Sequence, residues 1–516
     1  MSSLRMPLLW PCDMAYFEDT KNRVLKFLPA DSLRGRLAWG AFWSLVGAVI
    51  SQGSILVASV ITAHLLGPVG FGQLAIINTT IGMFGVFAGV GLGMTATKYV
   101  AEFRTKDPAR AGRIIALSTA VALGTATAAV VALFAVAPWL AASTLNAPQL
   151  SAELRIAMGL LFLNALNGTQ IGVLAGFEAF RTIARVNLIR GVLTLPLTVA
   201  GVLIWHLRGA VAALIAAAAV GWIVNHIAIH AECRRNKVPV RWERFWSDRV
   251  ILWKFSLPAF LAGAVASPAI WAASSILVNQ PRGYAEMGVF SAANQWRAAV
   301  VFLPSLLSQP LLSMLSNVAV GDSRLFRKLL HVNLLLSFGL SAFVAAPIVI
   351  YSSWIMKAYG QDFLAGRSVL ILMVLAAVVS STAAVIGQAI ASLDRMWWGF
   401  ILNSVWALVL LASAALLVPR YGALGLAGAF FASYLLHALT VGTYVQLHFA
   451  NPSARSLQAV CGCCDASHLE MTRAGLNNAE ISQLGSSTIV TRATDSNFQR
   501  CATEATTAML TRKDHY

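Results

Sequence analysis

The sequence predicts an all-α, polytopic membrane protein with about twelve transmembrane helices, arranged as two six-helix lobes related by a parallel repeat. The composition, the continuous apolar runs and the placement of charge lead to this prediction. Of the 516 residues, 58% are hydrophobic and only 11% are charged, whereas a soluble domain carries about 25% charged residues. Such a chain could not cover the surfaces of soluble domains with polar side chains. The composition therefore excludes a soluble enzyme, a disordered scaffold and a secreted disulfide module.

Twelve apolar runs are each long enough to cross a bilayer, which takes roughly 20 residues in a helix. The runs are continuous rather than alternating, so helices are expected instead of the strands of a barrel. Two divisions rest on short turns that contain Gly or Pro, at 206–209 and at 419–422. The predicted spans are 38–63, 73–97, 114–138, 154–176, 186–205, 209–231, 255–278, 287–316, 329–352, 366–391, 397–418 and 422–447.

The basic residues are distributed very unevenly between alternate connections. With the N-terminus inside, the predicted inner segments hold 31 of the 38 Lys and Arg residues, and the predicted outer connections hold four. Cytoplasmic loops collect Lys and Arg, so both termini are expected in the cytoplasm. The formal net charge of +17 then reflects topology and contact with anionic membrane lipids, and no nucleic-acid partner is expected.

The spans divide the chain into two lobes with flanking segments. Each lobe has six spans, an even number, so the lobes would be related by an axis along the membrane normal, with a substrate cavity between them. Pairs at an offset of 216 support the repeat: Gly72 with Gly288, and Asn78 with Asn294. The expected parts are a cytoplasmic N-terminal segment (1–37), the N lobe (38–231), a basic cytoplasmic linker (232–254), the C lobe (255–447) and a cytoplasmic, disordered tail (448–516).

Acidic side chains avoid the middle of every span, while one arginine does not. None of the 21 Asp and Glu residues falls mid-span, although many exporters of organic cations use a buried carboxylate. Arg297 lies ten residues into the eighth span, about 15 Å deep, where a charge costs at least ~2.5–3.5 kcal/mol. We expect it to face a wet cavity beside Asn294 and to grip a diphosphate or an acidic sugar. The alternative is that it bonds backbone carbonyls freed by Pro304 or by neighbouring kinks.

Other polar side chains are cavity candidates with structural alternatives. Asn164, Asn167 and Gln170 share one face of the fourth span, where they could bind sugar hydroxyls or join helices. Asn78 is a similar candidate. Lys98 and Arg190, near the inner mouth, could contact substrate or simply fix topology.

Glycine, proline and cysteine patterns are interpreted structurally. Glycines 82, 85, 89 and 93 form a stripe that favours close helix packing. The seventh span contains Pro258 and Pro268, and the eighth contains Pro304 and Pro310, so both are expected to be interrupted; the kinks could be hinges or static. Cys461, Cys463 and Cys464 with His468 match no common zinc spacing, so no metal and no cofactor is expected, and a plain cytoplasmic tail is favoured over palmitoylation.

Three stretches resemble a known family. Leu66-Gly67-Pro68-Val69-Gly70-Phe71-Gly72-Gln73 is similar to the first-loop signature of bacterial polysaccharide-exporter proteins, the oligosaccharide flippases. The end of the second span, from Gly91-Leu92-Gly93 to Lys98-Tyr99-Val100-Ala101-Glu102, and Ala292-Ala293-Asn294-Gln295-Trp296-Arg297 are similar too. The likeness covers about 35–447 and leaves out the tail. The wider superfamily also holds multidrug extruders and murein-precursor flippases.

The resemblance implies a transporter and not an enzyme. It would flip an undecaprenyl-diphosphate-linked oligosaccharide across the bacterial inner membrane by alternating access, for O-antigen, capsule or exopolysaccharide synthesis, with Arg297 at the diphosphate. Other polysaccharide-assembly proteins would be its partners. The alternatives are an ion-coupled drug or metabolite exporter, a murein-precursor flippase, or a polymerase or ligase. The last would need catalytic groups on a sizeable outer loop, and the longest one, 139–153, has no His, Lys or Arg.

Overall fold

The computed structural model describes residues 33–240, 242–243, 245–318, 323–391 and 396–449, and its regular elements are all helical. The tail with its cysteine cluster, and residues 1–32, lie outside the described residues. The α-helices are α1 (Leu33–Gly89), α2 (Leu92–Lys106), α3 (Pro108–Trp139), α4 (Leu150–Gly176), α5 (Phe180–Arg235), α6 (Leu257–Ala264), α7 (Ala266–Val278), α8 (Gly283–Val318), α9 (Ser323–Ile350), α10 (Ser352–Tyr359), α11 (Arg367–Ala391) and α12 (Met396–Phe449).

Backbone breaks inside the long helices account for the number of spans. Seven helical segments are long and apolar enough to cross a membrane. Three of them contain non-helical residues, at Gly67 in α1, at Trp205 and His206 in α5, and at Gly422 in α12. The α6–α7 pair and α8 complete a set of twelve in the described part of the chain. The prediction of a twelve-span, all-α membrane protein is confirmed, including the two turn-based divisions.

The proline interpretation is right for the seventh span and wrong for the eighth. The seventh begins with a π-helical turn (Leu252–Ser256) and is divided at Val265. Pro268 explains this division, because proline has no amide donor and its ring clashes with the carbonyl four residues earlier. In contrast, α8 runs unbroken through Pro304 and Pro310.

The internal repeat predicted from the offset of 216 is present in the backbone. His206 has φ 49° and ψ −126°, and Gly422, 216 residues later, has φ 55° and ψ −129°. The helix pairs around these breaks also pack alike. A Cβ on Gly209 would lie 1.7 Å from the Gly201 carbonyl oxygen, and one on Gly425 would lie 2.3 Å from that of Leu417. Each residue of the second pair is again 216 positions after its counterpart.

The equivalence of the two breaks yields a stability prediction. Positive φ with this ψ is a conformation that glycine adopts freely and that costs other residues about 1–3 kcal/mol. His206→Gly should therefore stabilise the protein by about 1 kcal/mol, seen as a higher unfolding temperature in detergent. Gly422→Ala should lower that temperature. Equal stability of wild type and His206→Gly would contradict the assignment of strain.

The lobes meet along the second half of α1 (68–89) and α8. A Cβ on Gly72 would lie 1.8 Å from the Tyr284 carbonyl oxygen, and a Cβ on Gly288 would lie 2.1 Å from that of Pro68. These contacts are reciprocal under the repeat, since 284 and 288 are 216 positions after 68 and 72. The pseudo-twofold axis therefore passes between the two helices. We call this end of the bundle the outer end and the opposite end the inner end, following the predicted sidedness.

Candidate substrate cavity between the lobes

A cavity of about 560 Å³ lies between spans 2 and 4 of the N lobe and the first part of span 7. We call it the central cavity. Its walls combine amides, small residues and a few apolar side chains, so it can hold water and a polar solute. Its lining includes Asn78, Gly82, Gly85, Gly89, Asn164, Gly168, Phe260 and Gly263.

The glycine stripe on span 2 forms a wall of this cavity, which corrects part of the packing interpretation. A Cβ on Gly82 or Gly89 would meet no atom within 4 Å. Close packing holds at Gly93, where a Cβ would lie 3.0 Å from the Gly168 carbonyl oxygen. Glycine at the open positions widens the cavity and brings the helix backbone within reach of a solute.

The amide row on span 4 divides between the two roles considered for it. Asn164 lines the central cavity together with the exposed Asn78. Asn167 does not line it: its side chain is 3% exposed and donates to the Ala218 carbonyl oxygen at 2.9 Å. Asn225, on span 6, donates to Asn167 at 3.1 Å. Asn167 therefore joins helices within the N lobe.

Arg190 and Gln170 also belong to the N lobe. A Cβ on Gly221 would lie 3.4 Å from Arg190 Cδ and 3.6 Å from Asn167 Oδ1, so arginine and amide share one layer. Within the described residues Arg190 makes no ion pair. The buried Oε1 of Gln170 has no hydrogen-bond partner there. Arg190 and the Gln170 amide oxygen could therefore each still bond a polar group.

Arg297 is partly buried in α8, and its Nε donates to Asn294 Oδ1 at 2.7 Å. The predicted association of these two residues is therefore present. No carboxylate of the described residues lies within ion-pair distance of Arg297. Neither side chain lines the central cavity, but the adjoining Trp296 lines a second, larger one. Arg297 thus retains four N–H donors that Asn294 does not use.

That second cavity is a groove of about 1220 Å³ between span 1 and spans 8 and 9. We call it the lateral groove. Among the described residues that line it, Gln52 is the one amide, and the others are almost wholly apolar. It runs from Trp354 and Tyr351, near the outer end, down to Leu303. An apolar chain would fit this groove, whereas a sugar would leave its hydroxyls unpaired.

At the inner end, charged side chains join the N lobe to the linker. Lys98 is exposed, with its Nζ 4.4 Å from the centroid of the Phe255 ring. The Nε atoms of Arg110 and Arg113 lie 3.0 and 3.2 Å from the two carboxylate oxygens of Asp248. Lys98 thus contacts the start of span 7 and lies outside both cavities.

Comparison with known proteins identifies the family. The family model described as "Polysaccharide biosynthesis protein" matches residues 37–316, more than half of the chain. The chain belongs to this family. The matched region spans the whole N lobe, the linker and the first two spans of the C lobe, and it includes both Arg297 and the glycine wall.

Curated relatives agree with this assignment, and solved structures share the fold. The EPS I polysaccharide export inner membrane protein EpsE of Ralstonia nicotianae is 24% identical over 76% of this chain and 89% of its own length. The lipid III flippase of Escherichia coli is 25% identical over 79% and 98%. Among structures, an inward-facing multidrug MATE transporter of the MOP superfamily aligns with TM-score 0.65, 15% identity and coverage of 79% and 98%. The lipid II flippase MurJ, inward closed, gives 0.59, 14%, 81% and 92%. The structures show that the fold is shared.

Some residues of the site were missed in the sequence. Phe260 and Gly263 line the central cavity from span 7, and Asn225 holds Asn167. Asn225 was detectable as a mid-span amide, but nothing in the sequence pairs it with Asn167. No group of three or more metal-ligating side chains occurs among the described residues.

Proposed function

We propose that this multi-pass membrane protein flips an undecaprenyl-diphosphate-linked oligosaccharide from the inner to the outer leaflet of the bacterial inner membrane. The product would supply O-antigen, capsule or exopolysaccharide synthesis. The observation that carries the proposal is the presence of two unlike cavities, one lined by amides and glycines and the other apolar, with Trp296, the residue before Arg297, in the wall of the apolar one. A lipid-linked sugar has the same two-part chemistry.

Each part of the substrate has a matching surface. A polar head cannot cross hydrocarbon unaided, because its hydrogen bonds and charge would be stripped. Asn78 and Asn164 can bond hydroxyls in the central cavity, where the open glycines leave room for sugar rings. Arg297 would neutralise part of the diphosphate through its free donors. The lateral groove would hold the prenyl chain, so that only the head leaves the lipid. No covalent bond changes in this process, and the protein would not act as an enzyme.

The ion pairs support the predicted grouping of the connections onto two sides of the membrane, and the excess of Lys and Arg on one side assigns that side to the cytoplasm. Arg104 pairs with Glu178 at 2.7 Å, and Arg110 and Arg113 pair with Asp248. All of these join segments that the charge pattern assigns to the inside. Arg208 and Glu153, 3.0 Å apart, join two segments assigned to the outside. Pairing within each set is what the proposed sidedness requires.

Export of cationic drugs is the rival function, since a multidrug transporter shares the fold. The placement of acids argues against it. Among the described residues the one buried acidic side chain is Glu153, which lies in the first turn of α4 and pairs with Arg208. A murein precursor carries the same diphosphate and remains a competing cargo for the same cavity.

Depletion of the protein in its native cell tests the proposal. We expect lipid-linked repeat units to accumulate in the inner leaflet, with loss of surface glycan and unchanged drug tolerance. Normal surface glycan with altered drug tolerance would favour the exporter. Arrested peptidoglycan synthesis with intact surface glycan would favour murein-precursor transport.

A further inference from the structure

Two outer connections each reach across to the opposite lobe. Residues 140–150, which we call the N strap, join spans 3 and 4 of the N lobe. Residues 352–366, the C strap, join spans 9 and 10 of the C lobe and contain α10 and a 3₁₀ turn (Gln361–Gly366). The offset of 216 places most of one strap on the other, so they are counterparts in the repeat.

The C strap contacts the N lobe through buried aromatic rings. Tyr359 and Phe363 are 0% and 1% exposed. The centroid of the Phe71 ring, at the start of span 2, lies 6.4 Å from the centroid of each. Trp296 Nε1 donates to the Tyr359 hydroxyl at 3.2 Å and so fixes its position within the C lobe.

The N strap contacts the C lobe through hydrogen bonds instead. Asn279 Nδ2 donates to the Thr144 carbonyl oxygen at 2.7 Å, and the Tyr284 hydroxyl donates to the Leu145 carbonyl oxygen at 2.7 Å. Tyr284 also supplies the carbonyl that Gly72 packs against. Each strap thus docks where the opposite lobe begins the helix that lies on the pseudo-twofold axis.

We infer that the two straps form an outer latch that holds the lobes together and closes the central cavity to the outside. Opening that end would separate span 2 from span 8, and this separation must break the Phe71 contacts and both strap hydrogen bonds. The C strap should contribute more, because it buries aromatic rings away from water, whereas one of the two N strap hydrogen bonds is donated by the exposed Asn279 amide, which water can replace. The inference rests on the proposed function in one respect, namely which end of the bundle faces the outside of the cell.

The latch can be tested by thiol access to the central cavity in intact cells. The reporter is Gly82→Cys in a full-length chain whose six native cysteines are replaced by serine, and the probe is a membrane-impermeant maleimide added outside. Tyr359→Ala should raise the labelling rate roughly tenfold by shifting the population toward the open state. Phe71→Ala, which removes the same contact from the other lobe, should have a similar effect, and the double variant should add little.

Matched controls distinguish loss of the latch from a general loosening of the fold, and they also test which end of the bundle is outside. Lys357→Ala, an exposed position on the same strap that lines neither cavity, should leave the rate unchanged. Lys357→Cys should be labelled from outside in every background, and its failure would refute the sidedness in the proposed function. Unchanged Gly82→Cys labelling in both Tyr359→Ala and Phe71→Ala, with Lys357→Cys labelled, would overturn the latch, as would an equal rise in Lys357→Ala.

Discussion

Arg297→Ala is expected to abolish export of surface glycan while the protein remains in the membrane at near wild-type abundance. The side chain is partly buried, bonds Asn294 and has no carboxylate partner among the described residues. Removing it should therefore cost little folding energy. Losing a guanidinium that holds a diphosphate should reduce transport roughly 100-fold, since such contacts are worth about 2–5 kcal/mol. Surface glycan and membrane-protein abundance, measured on the same cells, test this.

Two variants sharpen that experiment. Arg297→Lys keeps the charge but loses the planar fork, so intermediate transport is expected. Arg155→Ala is the matched control, because this arginine is exposed and its guanidinium stacks on the Phe134 ring with its carbon 4.8 Å from the centroid. Full transport by Arg297→Ala would refute the assignment of the diphosphate to this residue.

Gly72→Ala is expected to prevent closure of the outer end. The added methyl group would lie 1.8 Å from the backbone oxygen of Tyr284, and a backbone atom cannot rotate away, so the lobes must separate. Gly288→Ala should act in the same way through the Pro68 carbonyl. We expect both variants to lose export at least roughly tenfold, as the open state becomes the dominant one.

The control for this pair is Gly124→Ala. This glycine lies in a span, but an added methyl group there would meet no atom within 4 Å, and alanine favours a helix by about 1 kcal/mol over glycine. Its export should equal that of wild type. Normal export by Gly72→Ala would show that the contact between the lobes does not limit closure.

The sequence predicted the spans because hydrophobic length and the Gly or Pro turns are local signals. The break at Gly422 could be placed from the neighbouring proline and glycine, and that at His206 from the short turn before Gly209. The unbroken course of α8 through Pro304 could not be predicted. Whether a proline interrupts a membrane helix depends on neighbours that satisfy its freed carbonyl, and those neighbours come from elsewhere in the chain.

The candidate site was only partly predictable for a related reason. Spacing placed Asn164 and Asn167 on one face of a helix, but it could not tell which of them faces the cavity and which meets Asn225. In the same way, a glycine stripe looks alike whether it faces a helix, as at Gly93, or open space, as at Gly82. Orientation around a helix is set by its packing partners, and a single helix does not specify them.

Direct observation of lipid transfer would test the central claim. Purified protein would be placed in phospholipid vesicles with an undecaprenyl-diphosphate-linked oligosaccharide, and a membrane-impermeant glycosidase added outside would report the sugar in the outer leaflet. We predict that cleavage proceeds beyond the initially exposed fraction to near completion with wild type, and stops at that fraction with Arg297→Ala or with empty vesicles. Cleavage by the wild-type vesicles that stops at the initially exposed fraction, under conditions where a known flippase completes it, would contradict the account.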